Sequence, residues 1–200
     1  MLRTATQLWT PQLWTPELVD NAKKLALQWH QGQQYATTLP YEVHLQAVVD
    51  IAAQYLSGPD LYLALALGWL HDIREDTDVE LEHFLIQFGT SAGWILWNLV
   101  YLLSDPRFCL DSAQQWTLSP SRKLRKQCVA FKLTHAPRWA WVGQHVKLAD
   151  RLANLLFSKQ LKTPQYRMYL KEMPSFLACF QQVRHIPACA RLLVQLQQTS

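Results

Sequence analysis

Apolar residues recur along most of the chain at spacings of three and four, the signature of helices that bury one face. Leu18, Ala22, Leu25 and Trp29 mark a first helix, with Thr15 as its cap and Pro16 in its first turn, running to about His30. Residues 31–39 read as a polar loop. Pro40-Tyr41 opens a second helix with Val43, Ala47, Ile51 and Tyr55 on its apolar side, closed by Ser57-Gly58-Pro59-Asp60. Residues 61–75 are almost wholly apolar up to Gly68 and predict a buried third helix. A short helix over 79–88 is stopped by Gly89, and a strongly apolar helix over 90–103 follows. Residues 104–119 read as irregular, with Asp105-Pro106 as a break. Helical character resumes over 121–134, turns at 135–138, and returns over 143–158. Pro164 and Pro187 start the last two helices, and Pro174 is expected to interrupt the first of them. No strand pattern of any length is present, so the fold class is all-α.

Against this pattern the ends of two helices stand out. The third helix runs into Trp69-Leu70-His71-Asp72-Ile73-Arg74-Glu75-Asp76-Thr77. Unpaired charges at the edge of a core are expensive. On a continuing helix Glu75 shares a face with His71, and Asp76 with Asp72. An imidazole and three carboxylates then meet at one spot, where a metal ion relieves their repulsion; a solvated acidic turn is the plainer alternative. The helix over 143–158 carries Val146-Lys147-Leu148-Ala149-Asp150-Arg151-Leu152-Ala153-Asn154-Leu155. Lys147, Asp150 and Asn154 form one polar stripe on an otherwise apolar helix, so Asp150 should be metal-bound or paired, an ion pair with Lys147 being the simplest case. His44, in the first turn of the second helix, lies beside an apolar stripe. On its own such a histidine is more often a hydrogen-bonded core residue than a ligand.

Composition changes this picture little. Half of the 200 residues are hydrophobic, 17% are charged, and the net charge is +4. That suits one domain with a sizeable core and argues for neither nucleic acid nor a membrane surface as partner. The domain is read as residues 16–200, preceded by an arm over 1–15 that holds the repeat Gln7-Leu8-Trp9-Thr10-Pro11, Gln12-Leu13-Trp14-Thr15-Pro16. Nine tryptophans sit mostly in helical patterns. Cys109, Cys128, Cys179 and Cys189 show no C-x-x-C spacing and read as thiols of a reducing compartment, although Cys179 and Cys189 could pair in an oxidising one. No secretory signal pattern opens the chain and no apolar run reaches the ~18 residues of a membrane span, so a cytoplasmic protein is expected. The basic run Arg122, Lys123, Arg125 and Lys126 reads as a solvated face, with an anion site as the alternative.

Taken together, the motifs resemble those of the HD-domain metal-dependent phosphohydrolases, and within them the RelA/SpoT-type (p)ppGpp hydrolase domain. Pro40-Tyr41-Glu42-Val43-His44 resembles P-Y-x-x-H, Leu70 to Thr77 resembles L-H-D-x-x-E-D-T, Phe88-Gly89 matches F-G, and Leu103-Ser104-Asp105 resembles L-T-D. Residues 146–155 resemble V-K-L-A-D-(K/R)-L-x-N-L, and the resemblance spans about residues 20–156. It implies a single bundle of about 8–10 helices. It further implies that His44, His71, Asp72 and Asp150 bind one divalent ion, typically Mn²⁺; that Glu75 and Asp76 are the catalytic acidic pair; and that Tyr41, Lys147 and Asn154 line a nucleotide pocket. The implied reaction removes the 3′-pyrophosphate of (p)ppGpp, as in the small stand-alone alarmone hydrolases. One stretch departs from the pattern. Where the family has H-x-x-Q-R-R-K, this chain has His30-Gln31-Gly32-Gln33-Gln34-Tyr35-Ala36, without the basic residues and with a shorter loop. Residues 105–147 are longer than usual. Arg167 or the basic run could supply phosphate contacts instead. The competing readings are a phosphohydrolase of another phosphorylated nucleotide or of an RNA 3′ end, and a non-catalytic nucleotide-binding sensor.

Overall fold

Thr15 Oγ1 accepts from Leu18 N at 3.3 Å, and Pro16 enters the first turn, so the chain becomes helical where the caps predict. The computed structural model describes residues 11–36, 38–105, 108–110, 116–118 and 121–200. Its helices are α1 Pro16–Trp29, α2 Glu42–Ala52, α3 Gly58–Leu70, α4 Ile73–Asp76, α5 Leu81–Leu103, α6 Arg122–Thr134, α7 Trp141–Gln160, α8 Pro164–Ala178 and α9 Pro187–Thr199. The fold is all-α.

The bundle is arranged around α7. Every residue from Val142 to Ala153 is buried, His145, Lys147, Asp150 and Arg151 included. A helix buried on all sides must be covered by neighbours: α2, α3, α5, α8 and α9 all pack against it, while α1 lies on α3. Two of the covering helices approach each other closely at Gly68 of α3. A Cβ there would stand 2.9 Å from Val49 Cγ2 and 3.2 Å from Val49 Cα, so the missing side chain sets the α2–α3 separation. At the far end, Arg151 reaches Glu172 Oε2 of α8 at 3.2 Å, and Arg122 of α6 reaches Oε1 of the same carboxylate at 2.8 Å.

Several expectations are corrected. The third helix does not run unbroken through residues 61–75. α3 ends at Leu70 and a one-turn α4 follows, because His71 Nδ1 donates to Gly68 O at 2.8 Å and occupies a carbonyl at the end of α3. Thr77 Oγ1 donates to Ile73 O and accepts from Val79 N at 3.3 Å, which closes α4. The expected stop at Gly89 holds: its φ 74°, ψ 167° is non-helical and favours glycine, and it parts α5 into helical segments over 81–88 and 90–103. Pro174 does not interrupt α8; it stands within it. Pro174 itself is exposed, and Met173 is the residue of that helix that is buried, so the proline stands on a face that no neighbouring helix covers.

Two short antiparallel ladders went unseen, since two or three residues carry no periodicity. β1 Gln34–Tyr35 pairs with β2 Leu39–Pro40, and β3 Phe108–Leu110 with β4 Trp116–Leu118. The second lies in the stretch read as irregular. Trp14, assigned to the arm, is 2% exposed in the core; residues 1–10, with most of the first repeat copy, lie outside the described residues. Cys179 and Cys189 are both buried and free rather than paired. Among the described residues no helix is long and apolar enough to cross a membrane.

Candidate metal centre

Three helices bring their polar residues to one point. α2 contributes His44, the junction of α3 and α4 contributes His71 and Asp72, and α7 contributes Asp150. All four residues are buried. A carbonyl can only accept, so the His71–Gly68 hydrogen bond puts the proton on Nδ1 and turns Nε2 inward. That Nε2 faces His44 Nε2 at 3.2 Å. Asp72 Oδ2 stands 3.0 Å from His71 Nε2 and 3.3 Å from His44 Nε2. Asp150 Oδ1 stands 3.6 Å from His44 Nε2 and 3.7 Å from His71 Nε2. The ligand atoms of His44, His71 and Asp150 all lie within 4.8 Å of one another, a group able to hold a metal ion. Two nitrogens each ~2.1 Å from one ion and ~90–110° apart would be separated by ~3.0–3.4 Å. The facing imidazoles therefore fit a shared cation, and mixed nitrogen and carboxylate donors suit a divalent transition ion.

The charges around this point are shifted by one another. Burial opposes the charge of Asp72, but His71 and His44 overcome it and hold the carboxyl well below the usual range. Burial likewise opposes the charge of Asp150, which Lys147 and His71 restore, so its pKa is lowered too. Burial also disfavours protonated His71, yet Asp72 and Asp150 lift its pKa to about 9. Lys147 Nζ lies 3.1 Å from Asp150 Oδ2, and this pairing outweighs burial and raises its pKa. The two oxygens of Asp150 thus have separate duties. Oδ2 meets Lys147, while Oδ1 faces the imidazoles.

Glu75 and Asp76 sit on α4, immediately beyond the cluster. Burial lifts Glu75 to about 7; Lys147 opposes this, while Asp72 and Asp105 add to it. Its Oε1 accepts from Asp105 N at 2.5 Å. Asp76 is exposed as a residue, but its carboxylate turns in to Tyr41, and partial burial followed by Asp72 raises its pKa. The hydroxyl of Tyr41 lies 2.7 Å from Asp72 Oδ2 and 2.8 Å from Asp76 Oδ2. One hydroxyl proton can serve only one of these acceptors at a time. The two carboxylates therefore compete for the Tyr41 hydroxyl proton.

Of the residues expected to line a nucleotide pocket, Tyr41 is bound to the two aspartates, Lys147 to Asp150, and Asn154 Nδ2 donates to Asp150 Oδ1 at 2.6 Å. Arg167 is exposed on α8 and pairs with no carboxylate among the described residues. In the basic run, Arg122 pairs with Glu172, while Arg125 and Lys126 stand 3.4 and 3.9 Å from Asp105. Sequence reasoning missed Tyr35, which lies against His44, and gave no role to Asp105, which receives Glu75. The signal for Tyr35 was an aromatic residue inside a polar loop, six positions before Tyr41.

No family model matches the chain. A curated relative, described as a GTP pyrophosphokinase from Streptomyces antibioticus, is 31% identical over 154 residues, which is 77% of this chain and 16% of that protein. The chain therefore spans about a sixth of that relative's length. Among solved structures, a metazoan orthologue of SpoT described as hydrolysing ppGpp matches with a TM-score of 0.68 over 93% of this chain and 95% of its own, at 20% identity. At that identity the match is one of fold.

Proposed function

The chain is related in sequence and in fold to the RelA/SpoT-type proteins, and on that premise we propose that it is a metal-dependent phosphohydrolase removing the 3′-pyrophosphate of (p)ppGpp to give GDP or GTP and pyrophosphate. The observation that carries this reading is the convergence of two imidazoles and two low-pKa aspartates from three helices, with Glu75 at about 7 beside them. The direction of the reaction is argued from extent. The chain corresponds to 95% of the ppGpp-hydrolysing neighbour but to only 16% of the pyrophosphokinase, whose name describes a much larger protein. Hydrolysis is therefore favoured over pyrophosphoryl transfer.

In this reading His44, His71, Asp72 and Asp150 hold one divalent ion, Mn²⁺ being the expected one. Such an ion supplies a Lewis acid for a phosphoryl oxygen and lowers the pKa of a water beside it. Lys147 holds Asp150 at Oδ2, and Asn154 donates to Oδ1, the oxygen that also faces the imidazoles. Glu75, half-protonated near neutral pH, takes the proton of the attacking water. Asp76 keeps its proton longer than an ordinary aspartate and gives it to the leaving group, with Tyr41 holding its carboxyl in place. Arg167, exposed and without a carboxylate partner among the described residues, is assigned to a substrate phosphate.

The test is incubation of the purified chain with ppGpp and Mn²⁺, with products resolved by chromatography. Pyrophosphate and GDP are expected, with loss of turnover on chelation and its return with Mn²⁺. Asp150→Ala should lose both bound ion and turnover. Full activity in chelated protein, or ppGpp formed from GDP and ATP instead of consumed, overturns the proposal. A second reading has its own support: neutral Tyr35 stands in the stretch where the resembled family is basic. It assigns the same chemistry to another phosphorylated nucleotide or an RNA 3′ end, and a substrate panel separates the two. Tight nucleotide binding without turnover would point to a sensor.

A further inference from the structure

Tyr35 touches the candidate centre in two ways. Its ring lies nearly parallel to the imidazole of His44, with centroids 4.7 Å apart and planes 18° apart. Phe157 of α7 packs on it at 4.5 Å, and Tyr41 meets it edge-on at 6.3 Å. Its hydroxyl donates to Asn154 Oδ1 at 2.9 Å. Asn154 in turn donates through Nδ2 to Asp150 Oδ1 at 2.6 Å and to Asp150 O at 3.1 Å. Two acceptors on the nitrogen side fix which way the amide faces. Its oxygen is then left for the tyrosine proton, and the line Tyr35–Asn154–Asp150 is directional.

A ring already packed on His44 and Phe157 is a brace and not a free platform for a base. The backbone holds it there. Tyr35 pairs with Leu39 in the β1–β2 ladder, and Tyr41 N donates to Gln33 O at 3.1 Å, so the hairpin is tied to the start of α2, three residues before His44. The same chain segment carries the brace and the residue it braces.

We propose that Tyr35 is a positioning residue of this centre: its ring fixes the plane of His44, and its hydroxyl, relayed by Asn154, fixes the carboxylate of Asp150. The proposal rests on the metal reading given above. Partners of ligand side chains set their orientation, and losing one costs ~10–100-fold in metal affinity.

The test is titration of the purified full chain with Co²⁺ alone, followed by the visible absorption that reports the geometry of the bound ion. Tyr35→Phe keeps the ring and loses the hydroxyl; Co²⁺ binding should weaken about 10-fold with an altered spectrum. Tyr35→Leu loses both and should weaken it towards 100-fold. Adding Tyr35→Phe to Asn154→Ala should cost no more than Asn154→Ala alone, because both act along one line. Wild-type affinity and spectrum in both Tyr35 variants overturn the role. So does a loss confined to the melting temperature of the metal-free chain, which would make the contact one of packing only. A wild-type chain that binds no Co²⁺ overturns instead the metal reading beneath it.

Discussion

Glu75 shows how much a single side chain here depends on its surroundings. An ordinary glutamate is fully charged at neutral pH. Burial brings this one to about 7, against the pull of Lys147 and with the help of Asp72 and Asp105. A group half-protonated at working pH can both take and return a proton, which is what a general base requires. The sign of the pH dependence follows. If the carboxylate form accepts the proton of water, turnover rises as pH climbs through about 7 and then levels off. Glu75→Gln keeps the volume but cannot exchange a proton. It should lower kcat by ~10²–10⁴, leave KM and metal content nearly unchanged, and remove the limb near pH 7. Metal content and kcat measured on one preparation check this. Loss of the ion would make Glu75 a ligand, and unchanged turnover would leave it a bystander of the fold.

At the scale of elements, two glycines decide how closely helices meet, with different tolerance for change. Gly68→Ala places a methyl 2.9 Å from Val49 Cγ2, which can rotate away, but also 3.2 Å from Val49 Cα, which cannot. α2 must draw back by a few tenths of an ångström, and His44 moves with it. Gly93→Ala meets backbone at once, 2.5 Å from Phe84 O and 2.8 Å from Phe84 C across the Gly89 kink. Overpacking costs typically ~1–3 kcal/mol, occasionally more. Gly68→Ala should fall in that range and weaken metal binding as well. Gly93→Ala should cost more and leave the ligands of any chain that still folds undisturbed. Urea unfolding beside metal titration separates them, and equal stability losses would refute the ranking. Neither contact is visible in sequence, where a glycine inside a helix is only a weak helix former. What could be read was whatever repeats or conflicts with its setting: the helices by their period, and His71, Asp72 and Asp150 because charge on an apolar helix needs a partner. Tyr35 offered only an aromatic side chain in a polar loop, because a two-residue ladder decides which way it points.

For the molecule as a whole, the same central helix that carries Asp150 also carries a histidine with no catalytic part. His145 of α7 is fully buried and donates from Nε2 to Ala52 O at 3.0 Å, tying α7 to the end of α2. Its Nδ1 is buried with no hydrogen-bond partner among the described residues. A second proton would sit there unsatisfied, so burial drives the pKa down to about 4, against a smaller pull from the Ala52 carbonyl. An unfolded histidine titrates near 6.5. Below that value the unfolded chain takes up a proton that the folded chain refuses. The stability this group gives is complete above 6.5 and is lost as pH falls towards 4, by at most about 3 kcal/mol. His71 works in the opposite sense. Raised to about 9 in the metal-free chain, it gives stability that is complete below 6.5 and lost as pH rises through 9. Of these two, the core histidine costs the metal-free bundle stability on the acid side and the site histidine on the alkaline side, while Glu75, raised to about 7, gives stability that is lost as pH rises from 4.5 to about 7. His145→Gln retains a donor for Ala52 O and cannot be charged. Unfolding by urea in the presence of a chelator, from pH 8 to pH 4.5, should show the wild type losing stability faster than the variant below 6.5. The difference should grow with each step towards acid, because the aspartates that also titrate there are common to both chains. Parallel curves would mean that His145 is protonated inside the fold, and that the contact between α7 and α2 is not the acid-sensitive joint of the bundle.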